Sequence, residues 1–69
     1  MKLSARNVLK GTVTEIEVGT VNAVVKLDIG AGQMISSMIT LDALKDLDVT
    51  VGNEVYAIIK SSSIILGTM

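Results

Sequence analysis

An all-β barrel of five short strands, with a single short helix between the third and fourth, is the fold this sequence predicts. Three features predict it. Aliphatic residues alternate with polar ones in several short runs, glycines separate those runs, and only one stretch repeats leucines at helical spacing. No Pro and no low-complexity segment interrupts the chain, so its 69 residues are expected to form one domain, 1–69.

The first strand is read from Asn7 to Val18. It carries Leu9 and Val13 in one phase and Ile16 and Val18 in the other, so a bulge or sharp bend is expected near Thr14. The second is the plainest. Val21, Ala23, Val25, Leu27 and Ile29 alternate with Asn22, Val24, Lys26 and Asp28, and Gly30-Ala31-Gly32 then makes a turn. The third runs from Gln33 to Thr40. Ile35 and Ile39 lie on one face and Met34 and Met38 on the other, so one face is expected to line the barrel and the other to meet a partner subunit. After it, Leu41, Leu44 and Leu47 recur every three residues, with Thr40 placed as N-cap and Asp42 in the first turn, where the helix dipole favours a negative charge. Val51-Gly52-Asn53 is a turn. Glu54 to Lys60 and Ser63 to Leu66 are read as the last two strands, joined by a serine-rich bend. The order β-β-β-α-β-β is OB-fold-like. An SH3-like barrel accommodates the helix less well.

So short a chain buries a low fraction of its surface and usually needs disulfides, a metal or partner subunits. There is no Cys and no His, and the acidic residues form no Asp-rich calcium loop. Oligomerisation is the remaining route. Apolar residues make up 49% of the chain and mean hydropathy is +0.61, more apolar surface than one small core can hide. The surplus is expected in subunit interfaces. No run is long and apolar enough to span a membrane, and Met1-Lys2-Leu3-Ser4-Ala5-Arg6 has no signal-peptide core, so a cytoplasmic location is expected. A net charge of -1, with basic residues spread along the chain, argues against nucleic acid as a partner. A single aromatic, Tyr56, gives bases little to stack on.

Catalysis is not expected. Without His or Cys there is no imidazole base and no thiolate, and no nucleophile turn or phosphate-binding glycine loop occurs. What remains is two short polar clusters at opposite ends of the chain, Ser4-Ala5-Arg6-Asn7 and Lys60-Ser61-Ser62-Ser63. Each combines one fixed cation with hydrogen-bond donors and contains no carboxylate. That is what a tetrahedral oxyanion needs, because it accepts hydrogen bonds on every oxygen and donates none. Each cluster also has a plainer reading, as a solvated terminus or a serine turn, and spacing alone does not bring the two together.

Several separated motifs, in order along the whole chain, resemble the molbindins, the molybdenum-pterin-binding or Mop proteins with a TOBE-type domain. They are Ser4-Ala5-Arg6-Asn7-x-Leu9-Lys10-Gly11, Gly19-x-Val21-x-Ala23-x-Val25, Ile35-x-Ser37-x-Ile39-Thr40-Leu41-Asp42, Leu47-x-Val49-x-x-Gly52 and Ala57-x-Ile59-Lys60-Ser61. The resemblance implies barrels that share strands within a dimer, three dimers forming a hexamer, and molybdate or tungstate held between subunits and stored, with no cofactor. It implies an oxyanion site from Ser4, Ala5, Arg6, Lys60 and Ser61, with the Thr40 hydroxyl as a further donor. It also implies a second site at main-chain amides near Gly19, Thr20 and Val21. Some relatives carry a hydroxyl where Ala43 stands, so any side-chain contact there is missing.

A dianion needs roughly two positive charges, since a unit pair ~4 Å apart at an effective dielectric near 20 is worth ~4 kcal/mol before desolvation. One Arg6 or one Lys60 does not suffice, so such a site should exist only where subunits meet. Two other readings stand beside this one. Binding of the molybdenum-pterin cofactor is disfavoured because one aromatic offers little for a pterin to stack on. An OB-type interaction module without a small ligand would leave Arg6 and Lys60 without a role.

Overall fold

The computed structural model describes residues 2–4 and 6–69. Its strands β1 (Asn7–Val18), β2 (Asn22–Gly30), β3 (Gln33–Thr40) and β4 (Glu54–Ile59) form one antiparallel sheet in the order β3-β2-β1-β4. The helix α1 (Leu41–Asp46) links β3 to β4, and a 3-10 turn, Ser61–Ser63, follows β4.

β1 organises the sheet because its two halves serve different neighbours. Asn7 to Thr12 pair with β4, from Asn7↔Ile59 to Thr12↔Glu54, while Thr12 to Val18 pair with β2, from Thr12↔Asp28 to Val18↔Ala23. The register slips between Val13 and Glu15, so Thr14 is the expected bulge, and its Oγ1 donates to the Lys26 carbonyl at 3.3 Å. The bulge resets the phase: Gly11 and Val13 face the core before it and Ile16 packs on the core after it. Gly11 is required by close approach, since a Cβ there would meet the Asp28 carbonyl oxygen and Ile29 Cγ2 at 3.2 Å.

The core is small. Val13, Val25 and Leu27 are buried, at 1%, 5% and 3% exposure, and Ile16, Ile35, Ile39, Leu44, Val55 and Ala57 pack against them partly buried. The alternation in β2 thus reads inward as expected, from Ala23 to Leu27. Met34 and Met38 stand 52% and 69% exposed on the opposite face of β3. The β2–β3 turn holds Gly30, Ala31 and Gly32 at φ of 103°, 52° and 75°, and the Asp28 carboxylate accepts from the Gly30 amide at 2.8 Å.

Thr40 caps α1. Its backbone is extended, and its Oγ1 accepts from the Ala43 amide at 3.1 Å. Asp42 in the first turn and Lys45 in the last complement the helix dipole. Thr40→Val should therefore lower stability by about 1 kcal/mol, and Thr40→Ser should restore most of it. Urea unfolding at fixed protein concentration reads both.

The expected fifth strand is not formed. Ser61–Ser63 turn as a 3-10 helix, and the residues after them carry no regular structure, with Ile65 92% and Leu66 90% exposed. A strand persists where its amides and carbonyls find partners. β4 pairs only with β1, and the turn at Lys60 leads the chain away from that ladder. The alternation at Ser63 to Leu66 therefore marks an apolar segment without a strand partner among the described residues. The fourth strand also ends one residue early, which places Lys60 in the turn rather than the sheet. Likewise Val21 lies just outside β2 and is 71% exposed.

Candidate functional site

Antiparallel pairing of the first and last strands brings the two polar clusters to one end of the sheet. Asn7, which opens β1, lies opposite Ile59, which closes β4. The Asn7 Nδ2 donates to the Ile59 carbonyl at 3.2 Å and to Ser61 Oγ at 3.4 Å. Arg6 and Lys60 are the next residues on each side and leave the sheet together, both exposed. Ser4 lies two residues further out, also exposed. Ala5, the remaining member of the expected cluster, lies outside the described residues. Lys60 is extended at φ -63°, ψ 136°, and its carbonyl accepts from the Ser63 amide at 2.9 Å, which closes the turn that presents Ser61.

The charges at this end differ from those on the sheet. Lys10 pairs with Glu54 at 2.7 Å, and Lys26 pairs with Glu15 at 3.0 Å and Glu17 at 3.4 Å. Hydrogen bonding to Glu54, and then its charge, holds the Lys10 ammonium above its ordinary 10.5. Glu15 and Glu17 do the same for Lys26. The stabilisation these lysines gain is present below that range and lost as the pH rises through their raised values, so both keep their charge near neutrality. These lysines are committed to carboxylates. Among the described residues, Arg6 and Lys60 have no such partner.

Thr40 is elsewhere. It pairs with Asn22 at the far end of β2, beside Val18, whereas Arg6 precedes the opposite end of the twelve-residue β1. At roughly 3.3 Å per strand residue the two ends are separated by on the order of 30 Å. One chain therefore brings Arg6, Lys60 and Ser61 to one end of the sheet, and does not join Thr40 to them. The Thr40 hydroxyl uses a lone pair on the Ala43 amide, which leaves its proton to donate outward.

Thr40 is instead the neighbour of the second expected site. The Leu41 amide donates to the Val21 carbonyl at 3.1 Å, so the β1–β2 turn and the start of α1 are tied together. Gly19, Thr20 and Val21 line a shallow groove of about 420 Å³ with Glu17, Asn22 and Met38. The Gly19 amide is already spent on the Asn22 carbonyl at 2.8 Å. This leaves the Thr20 and Val21 amides as the main-chain donors this turn can present among the described residues. Glu17 on the rim opposes an anion there, although Lys26 partly offsets it.

Sequence reasoning placed Asn7 in the first cluster without giving it a role. Its two hydrogen bonds span more than fifty positions in sequence, and only strand pairing reveals them.

Comparison with known proteins agrees with this architecture. Residues 3–66 match the TOBE domain family. The chain is 55% identical over 67 residues to a probable molybdenum-pterin-binding protein of Haemophilus influenzae, with 97% of each chain covered. A molybdate-binding protein from Sporomusa ovata has the same fold at a TM-score of 0.92 and 38% identity, over 99% of this chain and 100% of that one. The cytoplasmic molybdate-binding protein ModG, solved with molybdate bound, matches at a TM-score of 0.82 and 39% identity, over 96% of this chain and 53% of its own. With its motifs, its OB-like sheet and near full-length identity in agreement, the chain belongs to the molbindins, the molybdenum-pterin-binding (Mop) proteins built on a TOBE domain.

Proposed function

We propose that this protein binds and stores molybdate or tungstate reversibly, without catalysis, at the subunit interfaces of a cytoplasmic homo-oligomer, a hexamer arranged as a trimer of dimers. The observation that carries this reading is the meeting of Arg6, Lys60 and Ser61 at one end of the sheet, with both cations free of carboxylates among the described residues. In this reading Ser4, Arg6, Lys60 and Ser61 of one subunit, with the Ala5 main chain, bind one face of the anion. Thr40 is supplied by a neighbouring subunit, since its own lies at the far end of β1. The Thr20 and Val21 amides form the second kind of site. The exposed apolar residues Met38, Ile65 and Leu66 support assembly, because so small a core leaves them in water otherwise. The molybdate-bound ModG supports the choice of ligand. Selection against sulfate, also a tetrahedral dianion, would rest on cavity size.

Native mass spectrometry with and without molybdate tests assembly and ligand together. The expected result is a hexamer that gains molybdate in whole-number steps. A stable 7.2 kDa monomer, or an oligomer that takes up no oxyanion, would overturn the reading. Adding the molybdenum-pterin cofactor to the same experiment tests the pterin alternative. Tyr56, the single aromatic, sits on β4 and does not line the groove at Gly19, so no pterin uptake is expected.

A further inference from the structure

We infer that Asn7 is a positioning residue of the oxyanion site, turning the Ser61 hydroxyl into a donor that points at the anion. This rests on the oxyanion reading of that end of the sheet and adds to it the group that sets the polarity of its serine.

The inference follows from what each atom can do. The Ile59 carbonyl only accepts, so the part of the Asn7 side chain 3.2 Å from it must be the amide nitrogen. The same nitrogen lies 3.4 Å from Ser61 Oγ, so Ser61 is the acceptor in that contact. At this length the bond is weak, and its consequence is directional rather than energetic. A hydroxyl has one proton and two lone pairs. With a lone pair turned toward Asn7, the proton points away from Asn7, and among the described residues no hydrogen bond takes it. An oxyanion can use such a donor, since it offers only acceptors. The neighbouring carbonyls are turned out of the way, because those of Lys60 and Ser61 accept from the Ser63 and Ile64 amides at 2.9 and 3.3 Å. Asn7 also joins the two clusters mechanically, since it belongs to the strand that begins after Arg6 and grips the turn that begins after Lys60.

Asn7→Asp keeps the shape and reverses the polarity. The carboxylate would accept the Ser61 proton, withdraw it from the anion and add a like charge. Calorimetry with molybdate on the assembled protein should show affinity at about pH 7.5 reduced ~10-fold or more. The loss in Asn7→Asp should exceed that in Asn7→Ala, because the carboxylate both withdraws the Ser61 proton and sets a like charge beside the anion. A purely structural defect would be larger for the alanine, which loses the shape as well. Asn7→Ala and Ser61→Ala should lose similar affinity, and the double variant little more than either alone. A readout on the unsubstituted chain guards against variants that fail to fold. The Asn7 side-chain amide resonances should move when molybdate is added to wild type. Independent additive losses, a loss in Asn7→Asp no greater than in Asn7→Ala, or amide resonances indifferent to molybdate would overturn the role of Asn7 while wild-type binding persists. Absence of wild-type binding to either oxyanion would instead overturn the site reading itself.

Discussion

Arg6→Gln and Lys60→Met should each weaken molybdate binding by ~10-fold or more while the oligomer stays assembled. Removing one charge-assisted hydrogen bond costs about 1.5–3 kcal/mol, and each substitution also removes one of the few positive charges opposing a dianion. The two losses should be similar, because the residues leave the sheet side by side at the Asn7–Ile59 pair. Neither change should disturb folding, since both side chains are exposed and make no ion pair with the rest of the described chain. Lys26→Met is the control: it removes a cation of equal charge that is already held by Glu15 and Glu17 on the sheet face. Calorimetry with molybdate, tungstate and sulfate on the four proteins distinguishes the cases. Equal affinities in wild type, Arg6→Gln and Lys60→Met would move the anion to the Thr20 and Val21 amides. A loss confined to Arg6→Gln would remove Lys60 from the site.

Leu27→Ala should be the most damaging single truncation in the fold. Leu27 is 3% exposed and sits mid-strand in β2, in the cluster with Val13 and Val25. Truncating a buried leucine costs about 2–5 kcal/mol, from lost transfer energy and the cavity left behind. Against the roughly 5–15 kcal/mol that holds a domain folded, this is a large share, and a core of so few buried side chains has little to close the gap with. The expected readout is a fall in urea midpoint of the corresponding size, measured at constant protein concentration because assembly adds to apparent stability. A change below about 1 kcal/mol would mean that subunit contacts, rather than this cluster, dominate stability.

The first three strands and the helix could be read from the sequence because their determinants are local. Period-two alternation identifies β2, the phase change identifies the bulge at Thr14, and the Thr40 hydroxyl three residues before the Ala43 amide identifies the helix start. Ser63 to Leu66 misled because alternation records which residues could form a strand, and pairing depends on an available edge. In this chain the backbone turns at Ser61–Ser63, and Ile65 and Leu66 are left in the open.

The chemical character of the proposed site was legible in the sequence. The absence of His and Cys, and two clusters each with one cation and no carboxylate, leave an anion acceptor as the natural ligand. Its assembly was decided by tertiary structure. Long-range pairing joined residues 7 and 59, exposed the bond from Asn7 to Ser61, and separated Thr40 from both by the length of β1. Pairing also spent the Gly19 amide on Asn22. The physical reason is that residue type and local periodicity specify what a segment can donate or bury. Which distant segments meet depends on strand register, and register is settled only when the whole sheet closes over its core.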